Sequence, residues 1–159
     1  METLRQQLTR HEARKNRPYR CSRGYLTIGV GWNIDSWKLP PIIASFLHIH
    51  GYITEEMIDQ LLDIQIEAAI ADTKEIFPNF STFTERRQNA LMDMVFNMGA
   101  TGVLGFKKMR KAIARGDWNE AAEQVRDSVY WRQLGGDPAG TDDGKLERPE
   151  EIAMMIREG

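Results

Sequence analysis

The chain has 159 residues, a formal net charge of -2 and one cysteine. Its length suits a single domain that buries about 70% of its unfolded surface. One cysteine excludes a disulfide framework, the near-balanced charge gives no general attraction to nucleic acid or anionic membranes, and no apolar run approaches the ~20 residues of a membrane span.

The opening METLRQQLTRHE is polar. It lacks the apolar segment of a signal peptide, so the expectation is a chain made and folded in a cytoplasm. Leu4 and Leu8, with His11 or Glu12, fall on one helical face, which predicts a short helix over 2–13 that ends before Pro18. Glu12 then lies in the last turn, at the negative end of the helix dipole, where a protonated carboxyl is favoured. Position alone fits an ordinary solvated glutamate equally well.

Residues 19–34 predict strands, because Tyr25-Leu26-Thr27-Ile28 is rich in β-formers and Gly24, Gly29 and Gly31 mark turns, bulges or close backbone approach. Cys21 belongs to the first strand or its turn, and Thr27 to a later strand. No G-x-G-x-x-G or Walker pattern follows the glycines, which excludes a phosphate loop. Arg14, Lys15, Arg17, Arg20 and Arg23 cluster around the thiol. They read either as a solvated face or as a field suited to an anionic polymer and to a thiolate.

Pro40-Pro41, the apolar IIASFL and Gly51 predict a short helix. His48 and His50 have no further ligands at metal-site spacing and read as surface residues. A long helix starts after Thr54, with Glu55 and Glu56 at the positive end of its dipole, and runs toward Pro78. Its stripe of Met57, Leu61, Ile64 and Ala68 is core packing. Residues 84–98 predict a central core helix ended by Gly99, and 103–115 the next, closed by Gly116. Asp117 and Glu120 have the capping-box spacing and open a helix toward Tyr130. GGDPAGTDDG is a polar surface loop, and Arg148-Pro149-Glu150-Glu151 opens the last helix. The fold class expected is α+β, mostly α: one domain with a small β-containing lobe at 14–53, a connecting helix at 54–77, and a helical lobe from 1–13 and 78–159.

Glu12, Cys21 and Thr27 stand in the spacing E-x8-C-x5-T, continued by the run IGVG. MVFNMGATGVLGF follows at 94–106, with weaker matches at 118–131 and 148–159. These stretches resemble the bacteriophage-type lysozymes, the muramidases of glycoside hydrolase family 24, whose pattern is E-x8-(D/C)-x5-T. The resemblance covers nearly the whole chain and implies a lysozyme-like fold.

It also implies an endolysin that hydrolyses the β-1,4 bond between N-acetylmuramic acid and N-acetylglucosamine in peptidoglycan. Glu12 would be the general acid, Cys21 the base or nucleophile in the usual aspartate place, and Thr27 the residue that positions water. By the same resemblance Phe96, Asn33 and Gln124 contact saccharide and Arg148 pairs with Glu12. Trp32 stands where some relatives carry histidine. No cofactor and no metal are implied. The partners implied are glycan strands and, indirectly, a holin that releases a monomer from the host cytoplasm to the periplasm, with no nucleic acid and no stable membrane association. Two other functions fit the same residues: a non-hydrolytic peptidoglycan-binding module with a degenerate site, and a lytic transglycosylase, which uses one glutamate and no second base.

Overall fold

The computed structural model, which describes residues 2–21, 23–133 and 147–159, opens on helix α1 (Leu4–Glu12). Thr3 starts it with a capping box, its side chain accepting from the Gln6 amide while the Gln6 side chain accepts from the Thr3 amide. The predicted loop at 135–144 lies outside the described residues. The architecture is α+β and mostly helical, as expected, and forms two compact units, Met1–Ala68 and Ala69–Gly159.

In the first unit, α1 leads into an antiparallel sheet of β1 (Lys15–Arg20), β2 (Leu26–Gly29) and β3 (Trp32–Asn33), in that order. The first strand begins earlier than predicted and runs through Pro18. A proline is tolerated there because β1 is an edge strand and its register shifts between Lys15 and Tyr19. Helix α2 (Pro41–His50) ends at Gly51, whose φ of 74° supplies the left-handed cap. Helix α3 (Glu55–Ile76) has 22 residues, about 33 Å of helix. Thr54 caps it, its hydroxyl oxygen accepting from the Met57 amide at 3.2 Å.

The core of this unit joins the sheet to α3. A Cβ at Gly29 would meet Ile58 and Leu61 at 3.7 and 3.8 Å, and Leu8, Ile28, Val30, Trp32, Ile58 and Leu61 are buried. Arg14 adds a tie to α3, at 2.7 Å from Glu55 and 3.0 Å from Asp59. The sheet and the end of α1 are thereby fixed on one support.

The second unit holds the end of α3, a 3-10 turn (Phe80–Thr82), and helices α4 (Glu85–Leu104), α5 (Lys107–Ala114), α6 (Trp118–Arg126), α7 (Val129–Gln133) and α8 (Arg148–Glu158). Gly99 was expected to end α4. It kinks the helix instead, at φ 73° and ψ 168°, and helical structure resumes to Leu104, so α5 starts later than predicted. The helix opened by Asp117 stops at Arg126 because Ser128 caps a new one, its hydroxyl oxygen accepting from the Trp131 amide at 3.1 Å. Leu91, Met94, Met109, Val125, Ile152 and Ile156 make a core without exposed surface.

Candidate active site

Glu12 is the last residue of α1 and is partly exposed. The residue after it, Ala13, has φ 61° and ψ 175°, and it is the one non-glycine with positive φ among the described residues. An alanine there costs about 1–3 kcal/mol, and such strain gathers at functional positions. The side chain of Glu12 crosses the turn between β2 and β3. A Cβ added to Gly31 would lie 2.9 Å from its Oε2, 3.1 Å from Cδ and 3.2 Å from Cγ. Gly31 is therefore glycine for two reasons, its φ of +69° and the carboxylate resting on it.

Cys21 follows β1 in a tight turn, with its amide on the Tyr25 carbonyl at 3.0 Å and the Gly24 amide on the Cys21 carbonyl at 2.8 Å. The turn directs donors at the sulfur. Partial burial pushes the thiol up, but the amides of Arg23 and Tyr25, the Thr27 hydroxyl and the Arg23 charge outweigh it, and the net shift is down. The Thr27 hydroxyl has one proton and also lies 3.0 Å from the Tyr25 carbonyl. That proton serves the sulfur or the carbonyl, not both.

Tyr19 was not singled out from the sequence. It sits directly opposite Thr27 in the β1–β2 register, and its phenol is pushed up by burial first, then by the charges of Glu12 and Cys21. It lies within electrostatic reach of both groups and marks Glu12, Cys21 and Thr27 as one neighbourhood. The sequence signal was the predicted strand pairing alone: a residue directly opposite Thr27 on the neighbouring strand stands on the same face of the sheet. Asn33 stands opposite Thr27 on the other side, and its Oδ1 accepts from the Ser36 amide at 3.1 Å, which holds the following turn.

The remaining predicted residues are in the second unit. Phe96 is half-buried on α4. Gln124 lines a cleft of about 490 Å³ together with Phe106, Lys108, Ser128 and Tyr130, and its Nε2 donates to Glu120 at 2.7 Å. Arg148 opens α8, and its Nε donates at 2.7 Å to Asp93, which has no exposed surface. A larger hollow of about 510 Å³, lined by Phe77, Phe83, Lys107 and Arg110 among others, contains none of the predicted site residues.

A carboxyl at a helix end, a thiol held toward its ionised form and a hydroxyl beside that thiol are a set for acid–base work. Residues 9–143 match the family model described as phage lysozyme. The chain is 28% identical over 171 residues to the pre-baseplate central spike protein Gp5 of Enterobacteria phage T4, a match covering 99% of this chain and 28% of that protein. It is 28% identical over 149 residues to the probable T4-type lysozyme 1 of Dictyostelium discoideum, covering 84% of this chain and 87% of the relative. The probable T4-type lysozyme 2 of the same organism is 25% identical over 145 residues, with coverage of 82% and 85%.

Proposed function

The chain belongs to the phage lysozyme family, and on that premise we propose that it hydrolyses the β-1,4 bond between N-acetylmuramic acid and N-acetylglucosamine in peptidoglycan. Glu12 protonates the leaving oxygen. Cys21, as thiolate, takes a proton from a water that Thr27 positions, and that water attacks the anomeric carbon from the opposite face. The observation that carries the reading is the set of donors around Cys21, which favours the thiolate that a base in an aspartate's place requires. Substrate contacts by Asn33, Phe96 and Gln124, and support of the acid by Arg148, come with the family resemblance. So does the single-domain reading.

The test is clearing of chloroform-treated Gram-negative cells with appearance of reducing ends. Glu12→Gln is expected to lower the rate by about a hundredfold to ten-thousandfold. Undiminished clearing by that variant would refute the role of Glu12. Products ending in 1,6-anhydromuramic acid would make the protein a transglycosylase instead.

The biological setting proposed first is lysis of the host from within, as an endolysin released through a holin lesion. Similarity to a central spike protein over 99% of this chain supports a second setting, a muramidase carried on the virion. Finding the chain in purified virions decides for the second.

A further inference from the structure

Helix α2 of the first unit holds none of the residues assigned above to glycan hydrolysis. Helix α2 reads PIIASFLHIH, and only Ile43 in it is buried. Ile42 is 79% exposed and Ile49 is 72% exposed. Two turns apart, they stand on one face, with Phe46 between them at helical spacing. Phe46 packs on His50 at 4.2 Å between ring centres and meets Tyr52 edge-on at 5.8 Å. In the segment that precedes the helix in the chain, the exposed Trp37 stacks on the buried Trp32 at 4.4 Å. Single exposed isoleucines need no explanation, but a ridge of two on one face of a short helix, with the half-buried Phe46 between them and the exposed Tyr52 ring joined to it, does.

Charge says what such a ridge meets. Residues 14–53 contain Arg14, Lys15, Arg17, Arg20, Arg23 and Lys38 against one acid, Asp35, so the overall charge of -2 conceals a strongly positive segment. Arg14 is taken up by Glu55 and Asp59, and Arg20 leans toward Asp35 at 3.8 Å. Lys15, Arg17, Arg23 and Lys38 are exposed. Two of these flank the ridge. Arg17 lies over the Tyr52 ring at 5.5 Å and donates to the Gly51 carbonyl at 3.3 Å, while Lys38 shortly precedes α2 in the chain.

We propose that α2 and its flanks form a peripheral face that adsorbs reversibly to an anionic phospholipid surface. Ile42, Phe46 and Ile49 enter between headgroups, Trp37 and Tyr52 sit at headgroup level, and Arg17 and Lys38 meet the phosphates. The mode needs no spanning helix, and among the described residues none is long and apolar enough to cross a membrane. A second copy of the chain fits the face poorly, because a two-fold pairing would set one positive segment against another. The proposal is independent of the muramidase reading.

The experiment is co-sedimentation of the full chain with vesicles of phosphatidylethanolamine and phosphatidylglycerol, and with phosphatidylcholine vesicles. Binding is expected to the first set only and to weaken with salt. The double variant Ile42→Asp/Ile49→Asp, both exposed positions, should keep its helical circular dichroism and bind about tenfold less or weaker still. Arg17→Glu/Lys38→Glu should lose the preference for phosphatidylglycerol. Wild-type protein that ignores both vesicle sets overturns the proposal without recourse to any variant. Equal binding by wild type and Ile42→Asp/Ile49→Asp also overturns it, as does a wild-type dimer that this variant dissolves with no vesicle binding by either.

Discussion

Alanine at Gly31 should separate stability from catalysis. Its Cβ would lie 2.9 Å from Glu12 Oε2, whereas ordinary contact begins at 3.4 Å, so the carboxyl or the turn has to retreat by about half an ångström. The φ of +69° adds a backbone penalty of about 1–2 kcal/mol. For a chain of this length that penalty lowers the melting temperature by about 2–8 °C. A misplacement of about 1 Å costs on the order of a hundredfold in rate, so half of it costs about tenfold. Gly116→Ala is the matched control, with φ +77° and nothing within 4 Å of the added atom. Melting curves and initial rates of peptidoglycan cleavage are measured for both. The expected result is a similar loss of stability with a fall in kcat at Gly31 alone. Equal activities would refute the claim that the Glu12 carboxylate is positioned on this turn.

The thiol makes a second prediction. Alkylation of Cys21 by iodoacetamide should titrate below the ordinary thiol value, and Thr27→Val should move the midpoint up. A depressed thiol stabilises the fold above its ordinary value and loses that contribution as pH falls through the folded value. Denaturant midpoints should therefore rise with pH across that window in the wild type and not in Cys21→Ala. Tyr19 should titrate above its ordinary value by carbon-13 NMR, and Glu12→Gln or Cys21→Ala should bring it partly down, leaving the shift due to burial. In the second unit, the Arg126 side chain holds the nearly buried Glu150 carboxylate at 2.6 and 2.9 Å, with the Trp131 indole at 3.2 Å. Glu150→Leu strands that guanidinium, and because Glu123 still accepts from it the loss is about 3 kcal/mol by denaturant titration near neutral pH. The folded carboxyl lies below its ordinary 4.5, chiefly through Arg126, so the difference is full above 4.5 and shrinks as pH falls through the folded value.

Helix positions were legible wherever a cap, a glycine or an apolar stripe spoke for them, as Thr54, Gly116 and Asp117 did. Gly99 was misread because a glycine at a helix end and a glycine at a kink look alike in sequence. What separates them is whether the following turn packs, and Val103, fully buried, packs it. Helix α1 ends before Pro18 as the proline requires, but the start of β1 ahead of Pro18 is not legible, because only topology reveals an edge strand. The triad spacing named Glu12, Cys21 and Thr27, but not how they are held. The strain at Ala13, the contact of Glu12 with Gly31 and the donors on Cys21 all depend on tertiary backbone geometry that no local pattern encodes. Asp93 was hidden for the same reason. An acid within an apolar helix is intelligible only once Arg148, far along the chain, is seen to reach it.

The anomeric configuration of the first product tests the central claim most directly. Proton NMR of fresh digests of a defined peptidoglycan glycan should show the inverted α-anomer of N-acetylmuramic acid at the new reducing end, and no product with Glu12→Gln. A retained β-anomer would contradict Cys21 acting as the base, and the absence of any new reducing end would contradict the muramidase reading itself.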